Sequence, residues 1–200
     1  MNWDMFGGPL TREQASIFAG WMWMVLGAVW LAMWFTMKRA KKIENSFEMA
    51  QHTIPAFVGF WLIFEKNWKW APLQQHVLPD VSSVWFSGLV LTATGVAIAI
   101  WARFSLGGNW SGVVTLKDNH QLVGSGPYRW IRHPIYTGIL VAATGTAMIH
   151  GHLRAWIGFA VLLLTFYFKA RREEKFLRQE FGSGFEEHAR RTGMFLPKLT

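Results

Sequence analysis

Apolar residues gather in five blocks along the chain, and polar residues collect between them. Residues 15–37 form the first block, rich in Trp and Met, and residues 81–102 form another. Each is long enough for a membrane-spanning helix, which takes roughly 20 mostly apolar residues. Residues 134–151 and 154–170 are shorter and tightly joined, so they predict a helical hairpin. The weakest block is 47–64, which contains Glu48, Gln51, His52 and Pro55 and is cleanly apolar only over 54–64. The pattern predicts an all-α integral membrane chain of about five transmembrane helices. At 200 residues a single domain is the default. It divides into three spans over 1–102, then a polar loop, the hairpin and a C-terminal helix over 103–200.

Within two blocks, small residues recur at helical spacing. Gly88, Thr92, Gly95 and Ala99 form one stripe, and Gly138, Ala142 and Gly145 form another. Such stripes let membrane helices approach closely. Trp21, Trp68, Trp70, Trp85 and Trp101 fall near span ends, as expected of an interfacial aromatic belt.

Composition agrees with the pattern. Charged residues are only 16% of the chain, against about 25% in soluble domains. The net charge of +8 raises the question of nucleic acid, but the basic residues sit beside apolar blocks. That placement predicts a bilayer partner, with no nucleic acid. The absence of cysteine excludes disulfides, thiolate nucleophiles and cysteine zinc sites. The opening "MNWDMFGGPLTREQ" is polar to mixed and does not read as a cleavable signal peptide.

Charge also orients the spans, because cytoplasmic loops are enriched in Lys and Arg. With five spans, Lys38, Arg39, Lys41, Lys42, Arg103, Lys117, Arg129, Arg132 and the basic residues from Lys169 to Lys198 share one face. Arg12, Lys66, Lys69 and Arg154 share the other. The expectation is an N-terminus outside and a C-terminus in the cytoplasm. Together with the missing cysteines, it fits a bacterial inner membrane.

The polar chemistry lies on the basic face. In "GPYRWIRHPIYTG", residues 126–138, Pro134 suits the first turn of a helix. Arg132 and His133 then stand at the positive end of that helix, where anions bind. Glu173 and Glu174 follow the last apolar block; Lys169 and Arg178 lie at i,i+4 spacing from them. These groups read either as a charged membrane boundary or as a site for a carboxylate and an ammonium or hydroxyl. S-adenosylmethionine carries a carboxylate, an ammonium, a ribose and a purine, and its sulfonium favours aromatic faces. Neither GSG, at 124–126 or 182–184, follows a buried strand, so neither reads as a dinucleotide fingerprint. "HGH", 150–152, reads as interfacial polar residues, with no metal site expected.

"HQLVGSGPYRWIRHPIYTG", followed about 35 residues later by "EEKFLRQEFGSGFEEH", resembles the isoprenylcysteine carboxyl methyltransferases and the related phospholipid N-methyltransferases. The resemblance covers 120–197, with a weaker stretch over 103–110. It implies a membrane methyltransferase that uses S-adenosylmethionine in a cytoplasmic pocket, with a lipid tail entering from the bilayer. The family's cofactor residues match His120, Gln121, Leu122, Val123, Tyr128, His133, Pro134, Ile135, Tyr136 and Glu173. Gly126, Arg132, Gly138 and Glu174 match the motif without so clear a role. The family often has an arginine, facing the substrate carboxylate, where this chain has Lys169; Arg171 and Arg172 are near. Two family tyrosines become Phe185 and His188, and a glutamine becomes Val113.

The implied reaction is carboxyl O-methylation of an isoprenylcysteine-like, lipophilic or small-molecule acceptor. Lys169, Arg171 or Arg172 would orient that carboxylate. An amine acceptor, as in N-methylation, would instead need a base such as Glu174 or His120. A non-catalytic membrane protein of the same fold is a further alternative. Membrane sterol-type reductases fit less well, because Ile135 and Ile139 stand where they carry Asn and Asp.

Overall fold

The structure is a computed structural model and describes residues 10–36, 40–43, 45–65, 69–109, 115–117 and 122–198. Helix α1, Arg12–Ala32, opens on a capping box. The Gln14 N–H donates to Thr11 Oγ1 at 3.2 Å, and the Thr11 N–H donates to Gln14 Oε1 at 2.9 Å. Asn45 and Glu48 cap α2, Ser46–Phe64, in the same reciprocal way. Each box satisfies two backbone donors that a helix start would leave unpaired. Helix α3 is Ser82–Leu106, α4 Pro134–His150, α5 Leu153–Phe181 and α6 Ser183–Arg191.

Each of the five apolar blocks therefore becomes a helix. By length and composition, three of them can cross a membrane: α1 with its 3-10 extension (Arg12–Phe35), α3 and α5. The fold is all-α in its architecture, with one small addition that the apolar pattern did not show. Strands β1, Ala40–Ile43, and β2, Thr115–Lys117, form a two-stranded antiparallel ribbon. Lys42 pairs with Leu116 and Ile43 with Thr115, with an irregularity between Ala40 and Lys42. Neither short basic segment shows an alternating pattern that would mark a strand.

The closest helix pair is α3 against α4, and it is built on the small-residue stripes. A methyl added to Gly138 would lie 2.5 Å from the Ala99 nitrogen and 2.6 Å from the Gly95 carbonyl oxygen. A methyl on Gly88 would lie 2.6 Å from the Gly145 carbonyl oxygen. Only hydrogen fits where these backbones meet. A second such contact joins α2 to α5, where a methyl on Gly158 would lie 2.6 Å from the Gly59 carbonyl oxygen. Helix α1 packs on α3, and its Trp23 indole N–H donates to Thr146 Oγ1 of α4 at 2.9 Å.

Two arginines assigned to the loops are buried instead. Arg103 donates to the carbonyls of Gly107 and Met33, each at 2.8 Å, tying the end of α3 to the end of α1. Arg154 donates to the carbonyls of Leu62 and Ile63, at 2.8 and 3.1 Å, closing the end of α2 against the start of α5. Arg154 thereby satisfies last-turn carbonyls of α2 that have no partner within that helix. Gly151 turns the hairpin at φ 70°, so His150 ends α4 and His152 precedes α5. The His152 ring lies against His76, tilted by 50°, with their centres 4.1 Å apart. Among the described residues no group of three His, Cys, Asp or Glu stands ready to hold a metal.

Candidate functional site

Helix α5 does not stop where its apolar residues end. It continues as one helix through the charged stretch 171–181, which carries Glu173 and Glu174 past the start of α4. There Pro134 occupies the first turn of α4 and His133 is its N-cap. The two motifs, far apart in sequence, meet at this point.

Consecutive helical residues point about 100° apart, so the two glutamates face different surroundings. The Tyr136 hydroxyl donates to Glu173 Oε1 at 2.6 Å, and His133 Nδ1 lies 3.4 Å from Glu173 Oε2. The Glu173 side chain stays 22% exposed, whereas that of Glu174 is only 2% exposed. Arg132 Nε donates to Glu174 Oε1 at 2.7 Å, and an Arg178 guanidinium nitrogen lies 3.5 Å from Oε2. The other end of the Arg132 guanidinium donates to the backbone carbonyls of Thr192 and Ala189. Glu173 is thus the accessible carboxylate, and Glu174 is the buried anchor.

An aromatic wall adjoins Glu173. The Tyr136 ring stacks on Phe166, with centres 4.8 Å apart and planes within 6°, and on the His133 ring at 5.6 Å. Lys169 Nζ lies 5.8 Å from the Tyr136 ring centre, on the glutamate side of the helix. Tyr128 is buried with Ile135 and Ala102. Burial pushes its hydroxyl pKa up, the Glu173 charge adds to this, and Arg103 opposes it. For His133, burial works against protonation, but the neighbouring Glu173 and Glu174 carboxylates, each 3.4 Å away, outweigh it. The net pKa lies above the ordinary histidine value. His133 thus lies between the two glutamates, its ring nitrogens 3.4 Å from an oxygen of each.

The sequence-derived site residues separate into three groups. Tyr128, His133, Tyr136, Glu173 and Lys169 come together. Arg132, Pro134, Ile135, Gly138 and Glu174 form the scaffold beneath them: Pro134 and Ile135 are buried, and Gly138 holds α4 on α3. Leu122 is half-buried, and Val123 packs against the Tyr128 cluster. Gly126 has φ 57°, and a side chain there would strike Ser105. His120 and Gln121 lie outside the described residues. Arg171 and Arg172 do not join Lys169; they line a separate cleft with Glu48.

One part of the site had no reading in the sequence. The segment after α6 returns alongside the HP motif as a strap. The Arg132 N–H donates to the Gly193 carbonyl at 2.9 Å and the His133 N–H to the Met194 carbonyl at 3.1 Å. Thr137 Oγ1 donates to the Phe195 carbonyl at 2.8 Å, and the Phe195 ring meets His133 edge-on at 6.2 Å. The "TG" at 192–193 was the available clue, because a side chain on Gly193 would collide with the Leu196 carbonyl. Phe185, one of the departures from the family pattern, is buried under the Arg178 guanidinium and anchors α6. His188 is half-buried; burial and then the Arg132 charge lower its pKa.

The partly open carboxylate, aromatic faces and helix start suit a ligand with both cationic and anionic ends. Comparison with known proteins gives the family this part of the chain resembles. Residues 88–179 match the model of the isoprenylcysteine carboxyl methyltransferase (ICMT) family. A "probable protein-S-isoprenylcysteine O-methyltransferase" of Oryza sativa subsp. indica is 34% identical over 127 residues, covering 60% of this chain and 66% of that protein. The chain thus spans just under two thirds of the rice relative. The protein-S-isoprenylcysteine O-methyltransferase of Dictyostelium discoideum is 25% identical over 86% of this chain and 73% of its own length. The human protein of that name is 30% identical over 74% of this chain and 51% of its own length. The matched region, 88–179, contains α4, the HP motif and both glutamates, and this part of the chain belongs to the isoprenylcysteine carboxyl methyltransferase family.

Proposed function

We propose that this protein methylates the carboxylate of an isoprenylcysteine-like or other lipophilic acceptor, using S-adenosylmethionine at the Glu173 site. The observation that carries the reading is the partly exposed Glu173, fixed by the Tyr136 hydroxyl at 2.6 Å beside stacked aromatic rings. The fit to the cofactor is chemical. Glu173 is an acceptor for an ammonium or a hydroxyl, beside the rings of Tyr136, Phe166 and His133. The start of α4 offers backbone N–H groups to a carboxylate. When bound, S-adenosylmethionine supplies a methyl carbon already activated for displacement by its sulfonium.

The chain's own work is positioning and exclusion of water. A carboxylate acceptor is ionised at neutral pH, so no residue needs to remove a proton. Lys169, on the Glu173 side of α5, is placed to orient that carboxylate. An amine acceptor would need a base. Glu174 is a poor one, because Arg132 and Arg178 already hold it in a buried pocket. That weakens one of the two candidate bases, and the relatives named O-methyltransferases make O-methylation the favoured branch.

The membrane frame belongs to the same proposal. All five helices α1–α5 cross the bilayer, with the N-terminus outside and the Glu173 site at the cytoplasmic face of a bacterial inner membrane. In support, the charged end of α5 and the basic HP motif lie at one end of the hairpin, beyond its apolar residues.

Glu173→Gln tests the cofactor assignment. The amide keeps an acceptor for Tyr136 but loses the charge. Titration of the purified protein with S-adenosylmethionine should show an affinity loss on the order of tenfold or more. An unchanged dissociation constant would sink the role given to Glu173.

A further inference from the structure

A second polar place lies away from Glu173. Between the start of α2 and the charged end of α5 opens a cleft of about 470 Å³, lined by Glu48, Arg171, Arg172, Lys175, Phe176 and Gln179. Arg171 and Lys175 each stand two residues from Glu173, which turns them about 200° around the helix. The cleft therefore faces away from the site already described.

Its charge is unbalanced. Three cations face one carboxylate, and that carboxylate is occupied: Glu48 Oε2 accepts from the Asn45 N–H at 3.1 Å in the α2 capping box. Arg172 is held in place, donating to the Glu48 carbonyl at 3.0 Å and to Gln51 Oε1 at 2.6 Å. Arg171 and Lys175 are exposed, sit one turn apart, and make no ion pair among the described residues. Like charges at this spacing repel, and a shared anion would relieve that. A fixed guanidinium beside two free cations is the chemistry that grips a phosphate oxyanion.

The surroundings indicate what carries the phosphate. Phe168 and Leu164, in the turns of α5 leading to the cleft, are 66% and 58% exposed, and Phe47 beside Glu48 is 73% exposed. The cleft is thus a cationic hollow where two apolar, lipid-facing helix surfaces end. We infer that it binds the phosphate of an anionic phospholipid, whose acyl chains lie along the exposed faces of α2 and α5. The inference rests on the membrane frame and not on the methyl-transfer reading.

The test is native mass spectrometry of the full chain in neutral detergent, with phosphatidylglycerol and phosphatidylcholine of matched chains supplied together. Retained phosphatidylglycerol should exceed phosphatidylcholine by on the order of tenfold. In Arg171→Gln/Lys175→Gln the preference should fall to near parity, and Lys175→Gln alone should give an intermediate value if the double variant melts early. Inorganic phosphate is the third arm. Displacement of the lipid by phosphate at equal concentration would give the cleft to a soluble phosphate compound and overturn the lipid assignment. Equal retention of the two lipids, or an unchanged preference in the variants, would overturn the site altogether.

Discussion

At Glu174 the carboxylate is sealed from solvent between Arg132, at 2.7 Å, and Arg178, at 3.5 Å. Removing one partner leaves a buried charge unpaired, which costs about 3–5 kcal/mol, whereas replacing both members with apolar residues is often nearly neutral. Arg132→Met should therefore lower the melting temperature strongly, and Arg132→Met/Glu174→Met should recover much of the loss. A double variant that melts no higher than the single one would show that Arg132 does not act through Glu174. The sequence offered Arg132 as part of an anion-binding helix start and Glu174 as one of an acidic pair or a base, not as partners of each other. Spacing did link Glu174 to Arg178, four residues along one helix. The link to Arg132 crosses from the loop before α4 to α5, and no local pattern encodes it. The separation of Lys169 from Arg171 and Arg172 was legible in principle. A helix turns about 100° per residue, which puts Lys169 on the Glu173 face and the arginines off it.

Among the elements, the α3–α4 contact is the tightest. A methyl on Gly138 would meet backbone atoms of Gly95 and Ala99, which cannot rotate away. Gly138→Ala should force the helices apart and destabilise by about 1–3 kcal/mol. Gly27 of α1 is the control, since a methyl there has no neighbour within 4 Å. Gly27→Ala should be neutral or mildly stabilising, because it only restricts the unfolded chain. Thermal melts in detergent would separate the two, and a Gly138→Ala protein as stable as Gly27→Ala would contradict the close-packing account. Helix placement and the small-residue stripes were readable because both depend on local periodicity. The β1–β2 ribbon and the C-terminal strap were not, since each pairs segments distant in sequence through backbone hydrogen bonds that leave little mark on side-chain pattern. The charged end of α5 was readable from i,i+4 charge spacing and not from apolar periodicity. Apolar periodicity stops near Ala170, but the helix runs on to Phe181, with charged residues exposed beyond the apolar stretch.

For the whole molecule, the hairpin of α4 and α5 brings the HP motif and the glutamates to one end of the membrane helices. In the proposed membrane frame, a lipophilic acceptor would reach that end from the bilayer and the cofactor from water. The central claim is chemical, that the methyl group goes to a carboxylate oxygen. The most direct measurement supplies the full chain, reconstituted in lipid, with methyl-labelled S-adenosylmethionine and a farnesylated N-acetylcysteine, then treats the lipid extract with base. The account predicts label released as volatile methanol, the mark of a methyl ester. Base-stable label in the phospholipid fraction, or no label in any product while cofactor binding is intact, would contradict it.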